Sequence, residues 1–325
     1  MLRWIEDTGD MPDLELPEPL ARAVTLVRDD REHGASWLAR QAAQALADAA
    51  AAEHGASAQE RILAISAAAR AFARARPSMA AVANTAAGVW QAGVTAAQEP
   101  DARLAVLRAA AERLLGQWEL VAEAIAGHAR PVLGATVYTH SRSGTVEQVL
   151  LRLAADGAGA RLIERIIVDE SWPGGEGVAA ARAFAASGVA VTLIADGACG
   201  LLLPEADTVV LGADSVRADG SVVNKVGSFP LAVTAHTLGV PVYALCETLK
   251  IAASEFPLAF EEMAPAELLP GPVPGITVRN VYFDRTPAEY VSGVVTEEGI
   301  LDGAAIAARA HAAAEALAML ERDED

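Results

Sequence analysis

Apolar residues recur at helical spacing along the first 130 residues, where Ala, Leu, Arg and Gln dominate and strand-forming residues are sparse. The pattern predicts helices near 17–29, 35–53, 57–75, 78–98 and 101–127. It breaks at His33-Gly34, at Glu53-His54-Gly55, at Arg76-Pro77 and at Glu99-Pro100, where proline stops the preceding turn from continuing as regular helix. Beyond Pro131 the period changes. Short β-branched runs alternate with helical stretches: LGATVY at 133–138, LIERIIVD at 162–169, VAVTLIAD at 189–196, DTVVLGAD at 207–214 and PVYALC at 241–246. Strands that are apolar on both faces and alternate with helices predict a parallel sheet covered on each side through helical crossovers. The expected class is α/β, a parallel sheet domain over 131–325 preceded by an all-helical N-terminal domain over 1–130.

Composition narrows the function classes. Of 325 residues 53% are hydrophobic, enough to fill a sizeable core, and 43 acidic against 25 basic side chains leave a formal charge of −18. That charge opposes sequence-independent binding to nucleic acid or an anionic membrane, so neither is expected as a partner. Two uncharged stretches, Pro77 to Gln98 and Val226 to Cys246, approach the ~20 residues needed to cross a bilayer. The first is mostly small or polar, and the second is cut by Pro230, Gly239 and Pro241, so both are expected inside a soluble fold. The two cysteines, Cys199 and Cys246, can build neither a disulfide framework nor a zinc site, which points to a reducing compartment and to no metal or cofactor. The acidic, proline-broken start MLRWIEDTGDMPDLELPEP does not read as a signal peptide, so the expected location is the cytoplasm.

In an open α/β sheet ligands sit beyond the carboxyl ends of the strands. There the sequence is polar: Thr139 to Gly144, Glu170 to Gly177, Asp196 to Cys199 and Gly212 to Ser215. Asp214 reads either as a carboxylate delivered to that edge or as a cap. Asn224-Lys225-Val226-Gly227-Ser228 precedes a predicted helix and offers an amide, an ammonium and free backbone N–H groups, the equipment of a phosphate site. Lys225 is one of only two lysines, so the position favours a compact point charge over a guanidinium fork, unless its identity is chance. Glu176 in Pro173-Gly174-Gly175-Glu176-Gly177 argues against a direct phosphate contact; it reads as an acceptor for a sugar hydroxyl or as a helix cap. No nucleophile elbow surrounds Ser141, so a hydrolase triad is not expected. Cys246 reads as buried; Cys199 lies just past a strand end, where burial is the commoner outcome.

Motifs running through nearly the whole chain resemble one family: REHGASWLAR at 31–40, ARPSMAAVAN at 75–84, TVYTHSRSGTV at 136–146, DESWPGGEG at 169–177, GADSVRADGSVVNKVGS at 212–228, CETLKI at 246–251 and VRNVYFDRTPAEYV at 278–291. The chain is similar to the methylthioribose-1-phosphate isomerases, the ribose-1,5-bisphosphate isomerases and the α, β and δ subunits of translation initiation factor 2B. The resemblance implies a helical domain before a Rossmann-like domain, a homodimer or higher homo-oligomer, and a small phosphorylated sugar as ligand. It implies catalysis by a cysteine and an aspartate. Asp214 fills the aspartate slot and Ser141 the cysteine slot, which resembles the initiation-factor subunits; those subunits often lack the aspartate. Substrate binding is implied for Gly34, Ala35, Arg76, Asn224 and Lys225. Three positions depart from the pattern: His33 replaces an arginine, Glu176 a glutamine and Trp172 a frequent arginine, which favours one phosphate on the ligand over two. The expected function is an aldose–ketose isomerase of a ribose 1-phosphate derivative, with Cys199 a substitute proton carrier. The alternative is a non-catalytic regulatory subunit binding a sugar phosphate or a partner protein.

Overall fold

Local signals set the helices at the start of the chain. The computed structural model describes residues 16–52, 56–155, 162–258 and 260–322. Its first elements are α1 (Glu18–Asp29), α2 (Ala35–Ala51), α3 (Ala58–Ala75), α4 (Ala80–Ala96), α5 (Pro100–Gly116) and α6 (Trp118–Ala129). Gly34 caps α2 in extended geometry, and Pro100 opens α5 at the position where a missing N–H costs nothing. Ser57 and Glu60 form a reciprocal capping box at the start of α3. The break expected at Glu53-His54-Gly55 lies outside the described residues. The single helix expected over 101–127 is a correction, because it divides into α5 and α6. Gly116 weakens the helix, Gln117 turns with φ −88° and ψ −6°, and Trp118 starts afresh with its ring 4.7 Å from the Arg40 guanidinium.

The remaining elements are β1 (Thr136–Thr139), α7 (Gly144–Ala154), β2 (Arg165–Asp169), α8 (Glu176–Ala186), β3 (Ala190–Ile194), α9 (Cys199–Leu202), β4 (Thr208–Leu211), β5 (Ser215–Val216), β6 (Val222–Lys225), α10 (Ser228–Leu238), β7 (Val242–Leu245), β8 (Phe283–Thr286), β9 (Gly293–Thr296), β10 (Gly299–Leu301) and α11 (Gly303–Arg322). All five apolar runs become strands. They join a seven-stranded sheet of order β10-β9-β7-β4-β1-β2-β3, parallel throughout except for β10 on β9. A helical region is thus followed by a mostly parallel α/β sheet. A second, antiparallel sheet of order β5-β6-β8 consists of segments that the alternation did not reveal.

The chain divides in space into two units. The first holds the described residues through Glu119, Leu249–Leu258 and the chain from Ala307 onward. Its core includes Leu38, Leu46, Ile65, Phe72, Trp90 and Leu107. Asn84 draws in the 249–258 segment by donating to the carbonyls of Leu249 and Ile251, each at 2.8 Å. Arg70 and Arg74 hold α11 through the Leu320 carbonyl and Glu321. The division at 130/131 drawn from composition therefore runs along the chain, whereas the helical unit also collects later segments.

The second unit, Leu120–Thr248 with Ala259–Ile306, holds both sheets. Successive strand residues go to opposite faces. Val137, Ile166, Val168 and Val210 pack with Val149, Leu150 and Phe184 of α7 and α8. Tyr138, Ile167, Val209 and Leu211 pack with Leu231, Ala232 and Ala235 of α10. Both faces of the central strands are covered, which explains their unbroken apolar runs. Among the described residues no helix is long and apolar enough to cross a membrane.

Candidate functional site

Because β1, β2, β3 and β4 are parallel, the residues that leave them emerge along one edge of the sheet. At its centre is Asp169, the last residue of β2. Its buried carboxylate accepts hydrogen bonds from His140 Nδ1 at 2.7 Å, Ser171 Oγ at 2.9 Å and the Tyr138 hydroxyl at 3.1 Å. His140 Nε2 faces the Val226 carbonyl at 2.9 Å, so both ring nitrogens point at acceptors, an arrangement that favours the protonated ring. Burial alone pushes this imidazole down, but the bond to Asp169, its charge and the Val226 carbonyl outweigh burial and raise the pKa. The Tyr138 hydroxyl is pushed up by burial and by the adjacent Asp169 charge.

Asp196, after β3, accepts from the backbone N–H groups of Ser171 and Trp172, each at 2.7 Å. Ser171 Oγ accepts from Ser141 N at 2.7 Å, and both serines hold positive φ, 58° and 64°. A non-glycine residue keeps that conformation only where its surroundings impose it. Ser141 is therefore fixed at the exit of β1 by the network around Asp169. The ligand-type atoms of His140, Asp169 and Asp196 lie within 4.8 Å of one another, the spacing of a cation site. Both His140 nitrogens are engaged by protein oxygens, so this cluster reads as a hydrogen-bond hub.

Asp214 follows β4, half-buried, and its backbone N–H donates to the Val223 carbonyl at 2.8 Å, beside Asn224. Asn224 is 6% exposed, and its Nδ2 donates to Ser228 Oγ at 2.9 Å. A Cβ on Gly212 would meet Ser143 at 2.7 Å and Asn224 Oδ1 at 3.5 Å, so the ends of β1, β4 and β6 converge here. Lys225, next along β6, points to the other side. Its Nζ donates to the Pro173 carbonyl at 2.6 Å and to both oxygens of Glu176 at 2.8 and 2.9 Å, 3.3 Å from the Tyr282 ring centroid. Burial pulls the Lys225 ammonium down in pKa while Glu176 opposes it, and burial beside Glu176 raises the Tyr282 phenol. Gly177 is needed to place Glu176, since a Cβ there would lie 1.8 Å from the Asp169 carbonyl oxygen.

The free N–H groups expected at the start of α10 are a correction. Asp284, on β8 opposite Asn224, accepts from Gly227 N at 2.8 Å and from Phe229 N at 3.1 Å. Burial pushes the Asp284 carboxyl up to about 6, against the pull of those N–H groups and of His140. The folded chain then keeps this proton to about pH 6 while an unfolded one releases it near 3.8, so stability falls as pH rises between the two. Relative to Asp284→Asn, the wild-type protein is expected to lose roughly 2–3 kcal/mol of unfolding free energy over that interval. Denaturant titrations at closely spaced pH check this, and a difference that stays constant would assign the slope elsewhere.

In the helical unit the implied binding residues gather around Asp30. Arg76, 3% exposed, donates to the Asp30 carbonyl at 2.8 Å. The Asp30 carboxylate holds the His33 backbone N–H and ring, each at 2.8 Å, and His33 stacks on Trp37 at 3.8 Å just before Gly34 and Ala35. Thus Glu176 meets Lys225, Arg76 is tied to the loop of Gly34 and Ala35, and Ser141 and Asp214 occupy strand exits. Trp172 is 54% exposed, so its ring is mainly in solvent. Cys199 packs against the Tyr138 side of the core, and Cys246 is fully buried. Sequence reasoning missed the roles of His140, Asp169, Tyr282 and Asp284, although all four lie within quoted motifs, TVYTHSRSGTV, DESWPGGEG and VRNVYFDRTPAEYV.

The matching family model, the Initiation factor 2 subunit family, spans residues 31–303. The chain is 30% identical over 290 residues to the translation initiation factor eIF-2B subunit 2-like protein of Pyrococcus furiosus, covering 88% of this chain and 97% of that one. It is 33% identical over 308 residues to the ribose 1,5-bisphosphate isomerase of Haloferax volcanii, covering 89% and 90%. The solved structure of translation initiation factor eIF-2B from Pyrococcus horikoshii matches with a TM-score of 0.72 and 29% identity, over 88% of this chain and 98% of that chain. Isomerases and factor-like proteins both stand among its relatives, and the motifs that span the two units lie within the matched residues: the chain belongs to the initiation factor 2 subunit family.

Proposed function

We propose that this chain is an aldose–ketose isomerase acting on a ribose 1-phosphate derivative. The observation that carries the reading is the convergence of Asp214 and Asn224 at the carboxyl edge of the parallel sheet, with Ser141, held in a strained conformation, at the exit of the neighbouring strand β1. The kinship with an isomerase along 89% of the chain supports it. A phosphate on the anomeric oxygen keeps the sugar ring closed, so the enzyme must protonate the ring oxygen and then move hydrogen from carbon 2 to carbon 1. Asp214 supplies the first proton as its acid form and recovers it when the ketose is complete. Ser141 orients a sugar hydroxyl or a water. Asn224 and Lys225 bind the substrate, with Glu176 beside them, so most of the machinery lies in the α/β unit. No cofactor is required, because the reaction is a redox exchange within one molecule. The working form is a cytoplasmic homodimer or higher homo-oligomer.

The second reading is a non-catalytic, initiation-factor-2B-like subunit that binds a sugar phosphate or a partner protein. One observation favours it: Ser141 occupies the slot where the resemblance implies cysteine, and a hydroxyl yields its proton far less readily than a thiol. The test is to incubate the protein with ribose 1,5-bisphosphate, 5-methylthioribose 1-phosphate, 5-deoxyribose 1-phosphate and ribose 1-phosphate and follow ketose formation by NMR. Turnover of one of them is expected, whereas saturable binding without turnover would favour the second reading.

A further inference from the structure

The turn that joins β5 to β6 carries charge that the strand-exit site does not use. Arg217 and Ser221 face each other across it: Arg217 N donates to the Ser221 carbonyl and Gly220 N to the Arg217 carbonyl, each at 2.8 Å, with Gly220 at φ 81°. Residues paired across antiparallel strands share a face, as do residues two apart on one strand. Val216 pairs with Val222 and Val223 with Arg285, so Arg217, Ser221 and Arg285 stand on one face of the small sheet, the two arginines on either side of Ser221. Two strand spacings, roughly 10 Å, separate their backbones, a gap that two arginine side chains can close between them. The side-chain bonds follow this register. Arg285 Nε donates to Ser221 Oγ at 2.8 Å, and its Nη2 bonds Asp219 Oδ2. Asp219 Oδ1 accepts from Ser221 N at 3.0 Å and from Ser221 Oγ at 2.6 Å, so the turn itself holds this carboxylate in place.

Asp219 acts on both arginines, and its single charge stands against two. Burial and the Arg285 charge pull the Arg217 guanidinium down in pKa, and Asp219 opposes them. A guanidinium offers five N–H donors in a planar fork. Arg285 Nη1 makes no bond among the described residues, and the Arg285 side chain is 42% exposed. In a chain of formal charge −18 such a pair is a local exception to a field that repels anions. We propose that Arg217 and Arg285 form a second anion site at the turn of the β5–β6 hairpin, which takes a phosphate dianion, free or as a simple monoester. Phosphate oxygens accept from the open end of the Arg285 fork, whose other edge Ser221 and Asp219 hold in place, and Arg217 meets the second charge. The site is separate from the strand exits, since Ser221 lies four residues from Lys225 along β6, roughly 13 Å at the rise of a strand. A ligand there ties the turn to β8, at the far end of the hairpin that carries Asp214 and Asn224.

Titration calorimetry with inorganic phosphate and with glycerol 3-phosphate at about pH 8, where both are mainly dianions, tests it. Chloride at matched ionic strength controls for screening. The proteins compared are wild type, Arg217→Gln, Arg285→Gln and Asp219→Asn. These substitutions leave the strand exits intact, so a difference from wild type reads the hairpin site alone. Each arginine substitution is expected to weaken phosphate binding at least about tenfold, and Asp219→Asn, which removes the competing charge, to tighten it at least about threefold. The tighter of the two ligands then names the free ion or the ester as the source, and either supports the site. A clamp that only closes the hairpin predicts lower stability in all three variants with phosphate binding unchanged. That result, or no binding to wild type beyond the chloride control, overturns the proposal. Should Arg285→Gln fold poorly, Arg285→Lys keeps the charge without the planar fork, and binding several-fold weaker than wild type is expected; wild-type affinity in that variant and in Arg217→Gln overturns the proposal. The titration stands apart from the isomerase reading, because it needs no turnover.

Discussion

Asp169→Ala is expected to lower the unfolding free energy by about 3–5 kcal/mol, the usual consequence of removing one partner from a buried ion pair. The carboxylate serves three donors at once, His140, Ser171 and Tyr138, and the residue is 2% exposed. Truncation would leave a buried imidazole and two hydroxyls without their acceptor, a cost greater than the net gain from forming those bonds. The loss carries a pH signature. His140 has a raised pKa, so its pairing stabilises the fold fully below the ordinary histidine value of 6.5 and is lost as pH rises through the raised one. Denaturant unfolding of Asp169→Ala against wild type, repeated from mildly acidic to alkaline pH, should show the deficit largest on the acidic side of that range. A deficit under about 1 kcal/mol would mean that water replaces the lost acceptor, and the hub would not be what fixes Ser141.

Asp214→Asn is expected to reduce turnover by a factor of about 10²–10⁴ while substrate binding stays near wild type. The amide has the shape of the carboxyl group and cannot exchange a proton, and the bond from the Asp214 backbone N–H to the Val223 carbonyl does not depend on the side chain. A structural cap at this position predicts the reverse, a change in stability with turnover preserved. Steady-state kinetics together with binding of the same sugar separate the two, and full turnover by the variant would remove Asp214 as the acid.

What could be read from the sequence follows from burial. Strands such as β2 and β4 lie beneath helices on both faces, so Ile166, Ile167 and Val168 form an unbroken apolar run that announces itself. The sheet of β5, β6 and β8 has no such run. Its strands are two to four residues long and carry Ser215, Asn224, Lys225, Asp284 and Arg285, so its existence depends on pairing across the chain. The same reason hid the partners within the site. Asn224 and Lys225 stood out locally as polar residues before a helix, but Glu176 lies 49 residues from Lys225 and Asp284 lies 57 from Gly227, and no local pattern encodes such meetings. The expectation of free N–H groups at α10 failed because a helix start looks open until the fold supplies a carboxylate. The placement of Asp214 was legible because a strand exit is a local feature, and Gly212 and Val223 show how the surrounding backbone fixes it.

The central claim is that this sheet edge converts a sugar phosphate, and one measurement addresses it most directly. Ribose 1-phosphate or its 5-deoxy analogue, labelled with heavy carbon at position 2, is incubated with wild-type protein and with Asp214→Asn, and the labelled carbon is followed by NMR. The expected result is a ketone carbon growing in the wild-type sample and essentially absent from the variant. A label that remains in the closed sugar in both samples, while the sugar binds saturably, would contradict the account and leave a binding protein on this fold.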